Sequence, residues 1–169
     1  MTDPSNAQSK ASSAVSETHR PEVVDVLNDL LVMTRTGRRG FVTCAEAVQT
    51  TSSLKDILLS RAQGFRQAES QLVEMIRTLG VEPTKSGMGR NGLLRAWKPL
   101  GSRPGAHSDA SILQACERGE DAAMVRYRHA LGGQLPAQVH DLVQRQLEGL
   151  QRNHLKIRRL RYAASSHRT

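Results

Sequence analysis

The chain has 169 residues, suited to one domain, with 38% hydrophobic residues, only 3% aromatics and a formal net charge of +8. A core must therefore be made from Leu, Val, Ile, Ala and Met rather than from rings. No apolar run approaches the roughly 20 residues that span a bilayer, which excludes a transmembrane helix.

Residues 1–20 are rich in Ser, Ala, Thr and Asn, lack apolar periodicity and are expected to form a disordered tail. They hold no apolar stretch of the kind a secretory signal needs, so a cytoplasmic location is expected. Pro21 suits the first turn of a helix. From there Val23, Val26, Leu27, Leu30, Met33, Gly37, Phe41, Cys44 and Val48 recur at three- and four-residue steps, one face of a long helix. Gly37 and Gly40 mark either a bend or a place where another helix comes close. Thr50 to Ser53 make a polar turn with good capping residues. A second stripe follows: Leu54, Leu58, Arg61, Phe65, Ala68, Leu72, Met75, Ile76 and Leu79, stopped by Gly80 with Pro83 beyond.

Residues 80–107 are broken by Gly and Pro. The piece Leu93 to Trp97 suits a turn or two of helix, with the single tryptophan docking it on the bundle. Ser108 and Asp109 can cap a third helix, whose stripe is Ile112, Cys116, Gly119, Ala123, Tyr127 and Ala130, ended by Gly132-Gly133. Pro136 opens a fourth, with Val139, Leu142, Val143, Leu147, Leu150, His154, Ile157 and Leu160, and residues 163–169 are expected to fray. Cys44 and Cys116 show no metal-type spacing and fall on apolar stripes, the pattern of inert buried thiols in a reducing compartment.

Loop lengths carry the topology. The first and last connections are a few residues each, so each flanking pair must be an antiparallel hairpin. The 80–107 link reaches about 90 Å fully extended, against about 40 Å for a helix of the neighbouring length. It can run back along the bundle and start helix three at the same end as helix two. Two hairpins joined by one long crossover make an all-α, ferritin-like four-helix bundle over residues 21–162. An up-down-up-down bundle with a large loop is the alternative.

Several segments together resemble a family of bacterial ferritin-like four-helix bundles catalogued as a domain of unknown function. They are Leu27-Asn28-Asp29-Leu30, Gly37 and Gly40-Phe41 with Ala45-Glu46, Leu72 through Leu79-Gly80, Gly87 with Arg95 and Trp97, Glu117 to Asp121 with Tyr127, Leu135-Pro136, and Gln146 with His154. The resemblance implies the ferritin-like fold in a cytoplasmic bacterial protein linked with stress response, and no established activity. The family usually has acids where this chain has Thr36 and Gln71, and serine where it has Met88.

A two-metal bundle takes one Glu from each of two helices and Glu-x-x-His from each of the other two. Glu-x-x-His occurs nowhere here, and helix two has no histidine. Four polar groups remain as weak candidates for an iron or manganese site: Glu46, Glu117, Glu120 and His154. Hairpin geometry sets His154 near the level of Leu113, one turn from Glu117, with Glu46 toward the same end. The plainer expectation is no metal or cofactor and no catalytic residues. In that case these groups bond one another, or Arg118 and Tyr127, as a buried polar cluster that fixes helix register. No nucleophile elbow is visible. The stretch from Gly87 to Gly92 lacks the Lys-Ser/Thr and the preceding strand of a phosphate loop. His107, His129, His140 and His167 have no evident role.

The charge raises nucleic acid as a partner, through Lys156, Arg158, Arg159, Arg161 and Arg168 at the C-terminus and Lys85, Arg90, Arg95, Lys98 and Arg103 in the crossover. No basic run is interleaved with aromatics, so a solvated basic surface explains it as well. The sequence thus points first to a non-enzymatic bundle acting by self-association or through a protein partner, second to a metal-binding or redox bundle, and third to electrostatic nucleic-acid binding.

Overall fold

The structure is a computed structural model that describes residues 19–49, 51–85 and 107–166. Four helices make it up, α1 (Arg20–Ala47), α2 (Ser52–Thr78), α3 (Asp109–Leu131) and α4 (Ala137–Ser166), and no strand occurs among the described residues. The expected N-terminal tail, the docking of Trp97 and the Gly87–Gly92 stretch fall largely or wholly outside the described residues. At the other end, residues 163–166 of the segment expected to fray belong to α4. The helix continues to Ser166, where the Ser165 and Ser166 hydroxyls donate to the carbonyls one turn back.

Each helix is held by the apolar stripe that identified it. Leu27, Leu30, Phe41 and Cys44 of α1 meet Leu58, Leu72 and Ile76 of α2, Ile112 and Cys116 of α3, and Val143 and Ile157 of α4, all at most 1% exposed. Side chains this fully buried contribute about 1.5–3 kcal/mol each relative to exposure.

Side-chain contacts settle the directions of the helices. Thr51 Oγ1 donates to Asp109 Oδ2 at 2.7 Å, Arg61 bonds Glu120, and Gln146 links Tyr127 to Ala68. Rising numbers in α2 therefore match rising numbers in α3, and the two helices run parallel. Asp29 pairs with Arg126 and Cys44 meets Cys116, so α1 and α3 are antiparallel. The up-down-up-down alternative is thereby removed. The first crossover residues lie on α1, where Thr84 N donates to Asn28 Oδ1 at 3.0 Å and Arg35 donates to Thr84 O at 2.6 Å.

Local chemistry sets the ends. Ser108 Oγ accepts from Ser111 N and caps α3, as its position suggested. Gly80 closes α2 at φ +80°, its N–H bonding Arg77 O at 2.8 Å while Val81 N reaches Ile76 O at 3.4 Å. This is the glycine-terminated helix end that satisfies the last carbonyls. Nothing lies within 4 Å of a Cβ built on Gly80, so Gly80→Ala isolates the backbone penalty. Thermal unfolding is expected to show a loss of about 1–2 kcal/mol.

Gly37 has another reason to be glycine. α1 passes through it without a break, and a Cβ there would stand 2.6 Å from Phe65 Cε1. Of the two meanings its place in the stripe allowed, close approach is the one realised. Buried Thr34 and Thr36 turn their hydroxyls back to Leu30 O and Val32 O, at 2.7 and 2.9 Å, so neither leaves an unpaired donor in the core.

Candidate functional site

The polar interior is assembled by α2, α3 and α4. Glu120 sits on the inner face of α3 with no exposed surface. Arg61 crosses from α2 and donates to its Oε1 from both Nη2, at 2.7 Å, and Nε, at 3.2 Å. The guanidinium lies 5.5 Å from the centroids of both the Phe41 and Phe65 rings, whose faces favour a cation. Burial pushes the Glu120 carboxyl above its ordinary value, and the charge and hydrogen bonds of Arg61 pull it part of the way back.

His154 of α4 stands on the other side of this carboxylate. Its Nδ1 is 3.6 Å from Glu120 Oε2 and its Nε2 is 3.4 Å from Asp121 Oδ1. Neither Nδ1 nor Oε2 makes a hydrogen bond among the described residues. One turn down α3, Glu117 pairs with Arg158 at 3.3 Å and with Arg161.

Three of the four sequence-derived candidates, Glu117, Glu120 and His154, therefore come together, and Glu46 does not join them. Glu46 is exposed, and none of the ion pairs of the cluster includes it. It lies two residues from buried Cys44, about 200° around the helix. The expected level of His154 also needs correction. It meets Glu120 and Asp121, not the level of Leu113, a difference of about two helical turns. Side chains lean toward the N-terminus of their own helix. In an antiparallel hairpin the α3 side chains lean away from the turn and the α4 side chains toward it, so a residue of α3 meets one of α4 whose backbone lies further from the turn.

The expected partners Arg118 and Tyr127 give way to Arg61, Asp121, Arg158 and Arg161. Arg61 was visible as the one charged residue in the α2 stripe, a position that calls for a buried counter-charge. Arg158 and Arg161 continue the His154 face of α4 at helical spacing. Tyr127 belongs to a neighbouring network: it donates to Gln146 Oε1 at 2.7 Å and lies 3.4 Å from the Thr34 hydroxyl, while Gln146 Nε2 donates to Ala68 O and Gln71 Oε1. Burial pushes the phenol up to about 12. Tyr127→Phe removes the donor to Gln146 and is expected to cost about 1 kcal/mol in urea unfolding.

Cys44 and Cys116 are free and buried. The hydrogen bond with Cys44, then burial, holds the Cys116 thiol well above its ordinary value, which disfavours the thiolate and its reactivity.

The donor set of a two-metal centre does not fit these residues. A guanidinium occupies the space beside Glu120 Oε1, two more arginines hold Glu117, and among the described residues His154 is the one histidine in the cluster. No group of three His, Cys, Asp or Glu side chains placed to hold a metal ion occurs among the described residues.

Two antiparallel hairpins whose inner helices run parallel, with a charge-paired polar centre, define a ferritin-like four-helix bundle. Solved structures of that fold superpose on it. A mutant of Dps1 from Mycobacterium smegmatis matches at TM-score 0.70 and 15% identity over 87% of this chain and 99% of its own. A dodecameric thioferritin, the bacterioferritin-related protein of Bacteroides fragilis, matches at TM-score 0.71 and 15% identity over 88% of this chain and 89% of its own. At such identity the likeness is one of fold. Residues 22–133 match the family described as a domain of unknown function (DUF2383), and the chain belongs to that family. No curated protein matches it in sequence.

Proposed function

We propose that this protein is a non-catalytic ferritin-like bundle of the bacterial cytoplasm that acts by self-association, or by holding a protein partner, in a stress-related role. The observation that carries this reading is the use of the interior acids. Glu120 and Glu117, the buried acids that a metal site would need as ligands, are instead paired with Arg61, Arg158 and Arg161. The thioferritin neighbour is dodecameric, which supports self-association for the same architecture. Exposed Leu155 and Tyr162 on α4 and Val125 on α3 supply apolar surface for such contacts. Size-exclusion chromatography with light scattering tests it. A multimer that persists across a dilution series is expected; a monomer at every concentration, with no partner in pull-downs, overturns the reading.

One observation favours a second reading. Glu120 Oε2 and His154 Nδ1 face each other at 3.6 Å, each without a hydrogen bond among the described residues, an arrangement that suits one divalent ion. Titration of chelator-treated protein with Mn(II) or Fe(II), followed by elemental analysis, distinguishes the two. Stoichiometric metal supports this second reading, and none removes it. Nucleic-acid binding by the basic α4 surface is the third reading, and a gel shift that fades with salt is its signature.

A further inference from the structure

We propose that the furrow between α2 and α4 is a binding site for a small phosphate dianion, either free phosphate or a phosphate monoester. The furrow has a volume of about 380 Å³, within the range of small-molecule sites, and no Asp or Glu lines it among the described residues. Its walls instead present Arg61, Arg145 and Arg152 together with the side-chain amides of Gln67, Gln71 and Asn153.

The space exists because two glycines line it. A Cβ on Gly64 would lie 3.4 Å from Arg61 Nη1, and one on Gly149 would lie 3.9 Å from Arg152 Nη2. A guanidinium from each helix thus lies beside a glycine of its own helix in the same pocket. Arg61 gives Nε and Nη2 to Glu120 and keeps Nη1 on the Gly64 side, so one residue serves both the buried ion pair and the furrow. Gln71 accepts from Gln146 through Oε1, which leaves its N–H pair for a ligand. Forked guanidinium donors from opposite walls, with amides between them, are suited to the several acceptor oxygens of a phosphate. A second copy of the chain is a poor occupant, since a symmetric contact through this face would bring the same arginines together.

Titration calorimetry with inorganic phosphate, against sodium chloride at matched ionic strength, tests the site. Saturable one-to-one binding is expected. Arg152→Gln is expected to weaken it about ten-fold, the loss of one charge-assisted contact. Gly149→Leu keeps every charge and fills the furrow, and is expected to abolish binding. Its Cβ meets nothing closer than 3.9 Å, so the variant should keep the helical circular dichroism and melting temperature of the parent. Arg39→Gln removes one exposed charge from α1, away from the furrow, and is expected to change nothing. Equal weakening by Arg39→Gln and Arg152→Gln, or phosphate binding that survives Gly149→Leu, overturns the proposal in favour of diffuse surface charge. Glucose 6-phosphate and a single-stranded oligonucleotide separate the sources. The monoester is expected to compete with phosphate, and competition by the oligonucleotide alone overturns the small-molecule assignment.

Discussion

Arg61→Met is expected to lower the unfolding free energy by about 3–5 kcal/mol, because it leaves a carboxylate buried without its counter-charge. Glu120 has no exposed surface, and Arg61 is its only hydrogen-bonding partner among the described residues. Methionine keeps much of the length of the arginine stem and its contacts with the Phe41 and Phe65 rings, so charge is the main thing removed. Arg61→Met combined with Glu120→Leu should recover most of the loss, since apolar residues can replace a buried pair at little cost. Urea unfolding of the parent, both single variants and the double gives the coupling directly. A double variant no more stable than Arg61→Met alone would show that the loss comes from packing and not from the stranded charge.

The same pair predicts a pH signature. The folded-state value of Glu120 lies above the ordinary 4.5, so the folded chain holds this proton more tightly than the unfolded chain. The resulting contribution to stability is present at low pH and is lost as pH rises from 4.5 through the folded value. Arg61 limits that loss. Without it the folded value climbs further and the window widens. The stability gap between Arg61→Met and the parent should therefore be smallest near pH 4 and grow with pH, by at most about 1.4 kcal/mol per unit. A gap independent of pH would place the unpaired charge elsewhere.

These outcomes bear on how much of the molecule could be read from its residues. The helices and their order were legible because Leu27, Leu58, Ile112 and Val143 each sit in a stripe of constant period and each stripe ends in a recognisable stop such as Gly80. The length of residues 80–107 permitted a parallel run of α2 and α3 and left the up-down-up-down arrangement open; contacts such as Thr51 with Asp109 decide between them. The site was legible only in part. Glu117, Glu120 and His154 were found because their spacing marks inner faces. Glu46 was misplaced because proximity along the bundle says nothing about azimuth, and its position relative to Cys44 turns it outward. Arg61 falls within an apolar stripe, yet its charge is the clue to the partner of Glu120. The furrow was not legible at all. It depends on Gly64 and Gly149 belonging to the same gap, and no periodicity within either helix reports on the distance between two helices.

Gly37→Ala should destabilise the protein by up to about 2 kcal/mol, although alanine is ordinarily the better helix former by about 1 kcal/mol. The added Cβ would stand 2.6, 2.9 and 3.0 Å from three atoms of the Phe65 ring. That ring has little room to retreat: it is 4% exposed, its centroid is 5.6 Å from that of Phe41, and the Arg61 guanidinium lies 5.5 Å from it. Overpacking of this kind costs about 1–3 kcal/mol and so outweighs the gain in helix propensity. Leucine at position 65 lacks the two nearest ring atoms. In a Phe65→Leu background Gly37→Ala should therefore change sign and stabilise by up to about 1 kcal/mol. Such a reversal, about 2 kcal/mol of coupling in a double-mutant cycle, is the mark of two residues shaped to each other. If Gly37→Ala costs the same in both backgrounds, the ring is not what requires glycine there. The clash would then be relieved by a shift of α1 against α2, which would also disturb the seating of Arg61 on Glu120.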